Sequence, residues 1–428
     1  MNKSDFFTLL KKVPKAELHI HIEAVITLDS VKKLYKKRFG KAMTKQEASE
    51  LFSYEDLSGF IAAFLKVQDL FTEVKDFDLV FEDFAKYLED NNVKYCEAFF
   101  APSAFIKKGF DYKEMVENFS ANIKKIKKEK DITIKLLADV SRTFGLENAQ
   151  ANYDLVKKVP CDEIIGIGLG GNEVKGPCNL FGPVFVQAHN DGLHAVAHAG
   201  EDVGPESVWD AIKVLNSERI GHGITTIQDP ELVKYVAENK IPLEVCPTSN
   251  VFTKHYVKSM EEHPVRKLYD AGILVTIGSD DPVFFKTTVN EEYYNLYSKL
   301  NFTISEIEDL ICNSFRASFL PAKKKEAFVK DVKKAFIKKD KKSKVVISKI
   351  ALEVIGKKLL NDKTFIKNVD LIAKQIRDAA TDTAHKVSIS AVTYELLKKS
   401  IDKLKVLRSN DYSTIEKEQD EKEQNEKE

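Results

Sequence analysis

Short runs of apolar and β-branched residues, each ending in polar or glycine-rich positions, recur along most of the chain and alternate with stretches of helical periodicity. Eight such runs stand out, at 17–22, 94–100, 132–140, 164–169, 194–199, 219–223, 242–246 and 273–278. Strands alternating with amphipathic segments read as parallel βα units, since a parallel crossover needs a helix to bring the chain back. Eight units in about 300 residues predict an α/β fold of the TIM (β/α)8 barrel type rather than an open doubly wound sheet. The open sheet would carry a glycine-rich phosphate loop after its first strand, and none follows 17–22. The glycine-rich run 166–171 opens no helical pattern.

The first connection, 24–92, is far longer than an ordinary βα unit, and its segments 56–69 and 76–89 carry helical periodicity. Long insertions at the C-terminal rim of a barrel roof the active site, so a helical lid is expected there. The barrel domain is expected to span 1–337 and a lysine-rich hinge to follow it. A helical appendage is expected over 338–412, from amphipathic stretches near 346–360, 364–380 and 388–407. The remainder, 413–428, is read as a disordered charged tail, because 416–428 contains only Glu, Lys, Gln, Asp and Asn and cannot bury surface.

Charge changes the picture little: Lys+Arg and Asp+Glu both total 66, so the long-range field favours neither nucleic acid nor an anionic membrane as partner. A small, nearly neutral substrate fits better. No apolar stretch reaches the roughly 18 residues of a membrane span. The start, Met1-Asn2-Lys3-Ser4-Asp5, lacks the layout of a secretory signal, which gives a cytoplasmic expectation. The 5 cysteines are scattered without a CxxC pair and are read as reduced and structural. Oligomeric state is not legible.

Candidate chemistry gathers at the strand ends. His19 and His21 close the first run, where a period of two sends both imidazoles to one side. His198 and Glu201 follow the fifth run, His222 the sixth, and Asp280 and Asp281 the eighth. Each alone could be a core histidine, a helix cap or a turn residue. Together they are ionisable groups at several strand ends of one barrel, which converge on one point and are not needed for packing. Three histidines and one carboxylate, with a position left for water, make an open catalytic zinc site in which the metal brings the water pKa near neutrality. Proton traffic needs a nearby acid and base, and Glu201 and His222 are of those types. Asp281 is placed to accept a hydrogen bond from a ring N–H of substrate.

These residues resemble the adenosine and adenine deaminases of the metal-dependent hydrolase superfamily. The resemblance runs from about Val13 to about Leu320 and is carried by Pro14-Lys15-Ala16-Glu17-Leu18-His19-Ile20-His21, the block from His198 to Ser207, Arg219-Ile220-Gly221-His222-Gly223, the block from Glu244 to Asn250, and Ser279-Asp280-Asp281-Pro282. It implies that His19, His21, His198 and Asp280 bind one zinc per chain, that Glu201 protonates purine N1, and that His222 positions the hydroxide attacking C6. It further implies that Asp281 bonds N7, that the backbone around Gly171 meets N3, and that ammonia leaves. The implied reaction is hydrolytic deamination of a 6-aminopurine, adenosine first and adenine or another N9-substituted adenine as alternatives. The residues alone reach only metal-assisted hydrolysis. Deaminases of nucleic-acid bases use a His/Cys/Cys site, and no paired-cysteine motif stands here.

The chain departs from the adenosine-acting pattern at Glu23 and Ala24, where those members carry Asp and Gly, and at Gly170 and Asn172, where many show Ala and Asp. Glu23 resembles members that take free adenine, or adenine bearing another substituent, because the longer side chain intrudes where a sugar would lie. The run Phe284-Phe285-Lys286-Thr287-Thr288 resembles members acting on nucleosides. Two other readings stay open: a two-metal amide or ester hydrolase of the same superfamily, for which no strand-end lysine stands in place, and an inactive zinc-binding barrel. His255 and His263 are read as solvated, His189 and His194 as packing or capping, and Trp209 as packing.

Overall fold

The computed structural model describes residues 1–54 and 57–340, which lie within one compact unit, Met1–Lys342. From residue 341 on, the expected appendage and the charged tail lie outside the described residues. The last described helix, Ala322–Asp340, runs past the expected domain boundary.

Eight parallel strands follow one another around a nearly closed barrel in chain order. They are β1 Lys15–Glu17, β2 Val93–Phe100, β3 Thr133–Asp139, β4 Ile164–Leu169, β5 His194–Ala199, β6 Arg219–His222, β7 Leu243–Val245 and β8 Val275–Ile277. Seven of the expected runs coincide with strands to within three residues, because near-continuous apolar sequence is what a strand covered on both faces requires. The first does not: β1 ends at Glu17, and His19 and His21 lie beyond it. Here the backbone divides its bonds between two neighbours. Ile20 O accepts from Phe99 N at 2.9 Å, His19 O accepts from Asp280 N at 3.1 Å, and His21 N donates to Asp280 O at 3.0 Å. The segment stays extended but builds a continuous ladder with neither side. Of its two isolated bridges, His21 to Phe99 continues the pairing with β2, and Ile20 to Asp280 closes the seam between the first strand and the last.

The long first connection holds helices Leu28–Phe39, Lys45–Leu51, Leu57–Gln68 and Phe77–Asp90. The first is capped by Thr27, whose hydroxyl accepts from Ser30 N, and Thr44 and Glu47 make a reciprocal capping box for the second. Phe60 packs on Phe252, Phe284 and Phe285 with ring centroids 4.9 to 6.3 Å apart, and the Tyr54 hydroxyl donates to Phe284 O at 2.5 Å. The expected lid is therefore present, resting on the loops after β7 and β8. The segment expected at 76–89 does not belong to it. Phe77 and Phe81 pack on Phe119 of the next barrel helix, so Phe77–Asp90 flanks the barrel. Among the described residues, no helix is long and apolar enough to cross a membrane.

Inside the barrel Phe99, Leu137 and Val196 form a fully buried cluster. Phe99 fits because β4 carries Gly168 beside it: a Cβ there would lie 2.8 Å from the Phe99 ring. That ring is the floor of the site, with centroids 5.0 Å from His19, 5.2 Å from His21 and 5.1 Å from His198.

Candidate metal centre and active site

The strand ends bring His19, His21, His198, His222, Glu201, Asp280 and Asp281 together at one end of the barrel. His21 Nε2 is 3.2 Å from Asp280 Oδ1, His19 Nε2 is 3.6 Å from the same oxygen, and His198 Nε2 is 3.3 Å from His21 Nε2. Nitrogen and oxygen donors at about 2.0–2.1 Å from a tetrahedral ion stand about 3.3 Å from one another, so these separations suit a small divalent cation. The donor set suits it too. His19 Nε2 is buried without a hydrogen-bond partner, a costly state for a neutral imidazole unless its lone pair has an acceptor such as a metal ion. The residues present therefore fit a zinc-sized cation held by His19, His21, His198 and Asp280.

What surrounds the donors biases their protonation, and at His21 a cation would have to displace the proton shared with Asp280. His19 Nδ1 lies 2.8 Å from Glu244 Oε2. A carboxylate only accepts, so the ring proton sits on Nδ1 and Nε2 presents a lone pair inward. Glu244 in turn accepts from Arg219 Nε, and Arg219 Nη1 lies 2.6 Å from Glu97 Oε2, a buried chain of charges beneath the site. Burial lowers His198 well below its ordinary range, with the neighbouring histidines adding to it. Burial also works against charge on His21, but the Asp280 hydrogen bond and the charges of Asp281, Asp280 and Glu23 outweigh it and raise that group to about 10. Burial opposes ionisation of Asp280 as well, yet its hydrogen bond to His21 and the facing imidazoles hold it well below the usual carboxylate range.

His222, like His19, points its Nε2 toward Asp280. Its Nε2 lies 3.2 Å from Glu201 Oε2 and 4.0 Å from Asp280 Oδ2, and Asn250 Nδ2 is 3.1 Å from its Nδ1. Burial, then the charge of His19, pushes His222 down to about 3. Burial, then Asp280, raises Glu201 well above its usual range, and the same two causes raise Asp281. His222 and Asp280 both adopt positive φ, +60° and +61°. Such conformations cost about 1–3 kcal/mol in a side-chain-bearing residue and persist where the surroundings enforce them.

The remaining expected residues sit at the rim. Glu23 is buried, and its Oε1 accepts from Ala101 N at 2.7 Å at the end of β2. Burial raises its pKa, the Ala101 hydrogen bond and His21 pull it back, and nearby Asp139 adds to the rise. Gly171 is exposed in the loop after β4, with φ +102°, and a Cβ there would lie 2.2 Å from Thr143 Oγ1. Only glycine holds that turn without strain. Cys246 Sγ comes within 4.8 Å of donor atoms of His19, His222 and Asp280, but burial, then Asp280, raises its thiol well above the ordinary range, which leaves it protonated.

Four residues named without a site role, or read differently, prove central. His263 is buried rather than solvated, because the Met260–Glu262 turn folds it inward against Asn250, its Nε2 3.3 Å from Asn250 Oδ1. Asn250 also donates to Glu201 Oε1 at 3.2 Å. Glu173 accepts from the backbone of Gly200, Glu201, Asp202 and Val203 at 2.6 to 3.3 Å. Glu17 Oε1 accepts both from Ser279 N and from its hydroxyl, at 3.1 and 2.6 Å, and so anchors the loop bearing Asp280. Glu17 and Asn250 lay within the motif blocks of the sequence and Glu173 next to Asn172, yet spacing cannot show which polar residue faces a bound substrate and which holds a loop. Elsewhere expectation holds: His194 stacks on Phe319 with centroids 3.7 Å apart, His189 Nε2 bonds Leu215 O, and Trp209 packs on Tyr235. His255 is about half exposed.

Fold and site together define a (β/α)8 barrel with imidazole and carboxylate donors converging at its C-terminal mouth, the architecture of the amidohydrolase-type deaminases. The chain belongs to the adenosine deaminase family, whose model matches residues 14–335. Members of this family are hydrolytic deaminases of adenine-type substrates. The chain is 35% identical over 332 residues to an aminodeoxyfutalosine deaminase of Streptomyces avermitilis, covering 77% of this chain and 92% of that one. It is 33% identical to an adenine deaminase of Crocosphaera subtropica, covering 74% and 98%. Among solved structures, an adenine deaminase from Arthrobacter aurescens superposes with a TM-score of 0.72 at 27% identity, covering 76% and 99%. An amidohydrolase from Burkholderia ambifaria solved with bound Zn shares the fold, with a TM-score of 0.74 at 22% identity, covering 79% and 95%.

Proposed function

We propose that the chain removes the exocyclic amine of an adenine ring carrying an N9 substituent, with aminodeoxyfutalosine and adenosine as the first candidates, and that it holds one zinc through His19, His21, His198 and Asp280. The observation that carries this reading is the pairing of those four donors with Glu201 and His222, which face each other 3.2 Å apart beside them. A divalent cation at the donors would supply a water acidified to near neutrality and a counter-charge for the developing oxyanion.

The protein's own groups supply the rest. Glu201 delivers a proton to ring N1, which makes C6 electrophilic. His222 hydrogen-bonds the incoming oxygen and directs it at C6, and Asp281 and the Gly171 loop fix the plane of the purine. The C–O bond forms, the C6–N6 bond breaks and the amine leaves as ammonia; of the attacking water's two protons, one replaces the proton that Glu201 gave to N1 and the other passes to N6. The lid aromatics exclude water from the closed site.

An N9-substituted substrate is supported by the aminodeoxyfutalosine deaminases among the relatives, at 35% and 34% identity. Free adenine is the second reading, favoured by Glu23, whose side chain, longer than the aspartate of adenosine-acting members, takes up space at the rim beside His21. Initial rates of ammonia release from adenine, adenosine and aminodeoxyfutalosine by zinc-loaded protein decide between them. The expected order places a nucleoside above adenine by at least about tenfold in kcat/KM; the reverse order would establish the second reading, and no release from any of the three would remove the enzymatic one.

A further inference from the structure

We propose that His263, acting through Asn250, fixes the ring proton of His222 on Nε2 and so makes that histidine a hydrogen-bond donor to the attacking oxygen rather than a further metal ligand. His263 and Asn250 are positioning residues in this reading, which rests on the aminohydrolase function proposed above.

The assignment follows from one backbone group. Val265 N donates to His263 Nδ1 at 3.1 Å, so that nitrogen is the acceptor and the neutral ring must carry its proton on Nε2. Burial keeps His263 neutral, lowering it to about 3. The Nε2–H then faces Asn250, 3.3 Å away, and can be satisfied only by the amide oxygen. That choice orients the amide. Its NH2 must turn to the opposite side, where it meets His222 Nδ1 at 3.1 Å and Glu201 Oε1 at 3.2 Å. An amide NH2 only donates, so His222 Nδ1 must be the acceptor and the His222 proton lies on Nε2, facing Glu201. The flipped amide would put its NH2 against the His263 N–H and its oxygen against His222, leaving a buried donor unpaired at the His263 end.

The contrast with His19 gives the device its meaning. Both rings are buried and their centroids lie 4.7 Å apart, yet the partner on Nδ1 differs: a carboxylate, Glu244, for His19, and an amide, Asn250, for His222. An acceptor behind the ring sends a lone pair inward and makes a ligand. A donor behind the ring sends an N–H inward and makes a hydrogen-bonding group. Two otherwise similar imidazoles are thereby sorted into different roles by what stands behind them. Asn250 also ties Glu201 to the same amide, so the proton donor and the oxygen-directing group share one orientation.

Two measurements on the zinc-loaded protein test this. Nitrogen-15 long-range correlation spectra of histidine-labelled protein should place the His222 and His263 protons on Nε2 in the parent and move the His222 proton to Nδ1 in Asn250→Asp, whose carboxylate accepts. A parent His222 protonated on Nδ1 would overturn the proposal whatever the substrate proves to be. In kinetics, His263→Leu removes the donor and should lower kcat by roughly 10- to 100-fold with KM within about threefold, while His263→Gln, whose amide can still donate to Asn250, should keep kcat within about fivefold of the parent. Equal losses in the two variants would assign His263 to packing and overturn the proposal. Absence of turnover in the parent on every 6-aminopurine would instead fail the functional reading and leave the spectroscopic test standing.

Discussion

The carboxylate of Glu173 accepts the backbone N–H of Glu201 at 3.1 Å, and with its other bonds it gathers the backbone donors of the whole loop after β5. The loop that carries Glu201, the proposed proton donor, is therefore held by a side chain from the neighbouring βα loop, after β4. Replacing Glu173 by Gln halves the acceptor capacity and turns an NH2 toward backbone donors. We expect Glu173→Gln to lose about 2–3 kcal/mol of stability and to lower kcat by at least about tenfold, read by denaturant unfolding and steady-state rates on the same preparation. A variant with parental stability and rate would deny Glu173 this role.

Glu201→Gln removes a dissociable proton but leaves the four donors of the metal site. Metal content should stay at the parent level while kcat falls at least about 100-fold. Elemental analysis alongside the assay checks both halves, and a variant that turns over like the parent would take the proton away from Glu201.

Glu244 holds His19 in the tautomer a ligand needs and also neutralises Arg219. Gln offers one acceptor to two donors. Glu244→Gln is expected to weaken zinc about 10- to 100-fold, measured by competition with a chromophoric chelator; affinity unchanged in that titration would remove Glu244 from the site's supporting structure.

Glu292 gives a pH signature away from the metal. It is fully buried, accepts from Thr248 N at 3.1 Å and from the Thr287 hydroxyl, and burial lifts its pKa from the usual 4.5 to about 7. Between those values the folded protein holds a proton that the unfolded chain has released, so this group's contribution falls as pH rises through the window and is flat above it. Glu292→Gln does not titrate, and its amide can serve both threonine partners. The variant should therefore gain on the parent by about 3 kcal/mol in unfolding free energy between pH 4.5 and pH 7.5. A pH-independent difference between the two would show that Glu292 is ionised throughout.

The barrel was legible because strands buried on both faces write continuous apolar runs, and because ionisable side chains at strand ends have no packing reason to be there. The end of β1 was misplaced because 17–22 keeps the strand pattern while its backbone bonds alternate between β2 and the segment after β8. Such a division depends on barrel closure, which periodicity does not record. His263 was missed for a similar reason. It lies 13 residues from Asn250 with helix and loop between, so only the folded turn at Met260–Glu262 brings them together. The lid was recognised from its length, but one of its two expected helices flanks the barrel, since an amphipathic period reports a buried face and not which surface buries it.

The bridge from Ile20 to Asp280 has a consequence for how the molecule is made. His19 and His21 are synthesised some 260 residues before the carboxylate that completes their constellation. A nascent chain thus carries exposed imidazoles through most of its synthesis without a finished cage. A cation held at the proposed site would therefore pin together two segments that lie far apart along the polypeptide, adding a cross-link to the seam of the barrel.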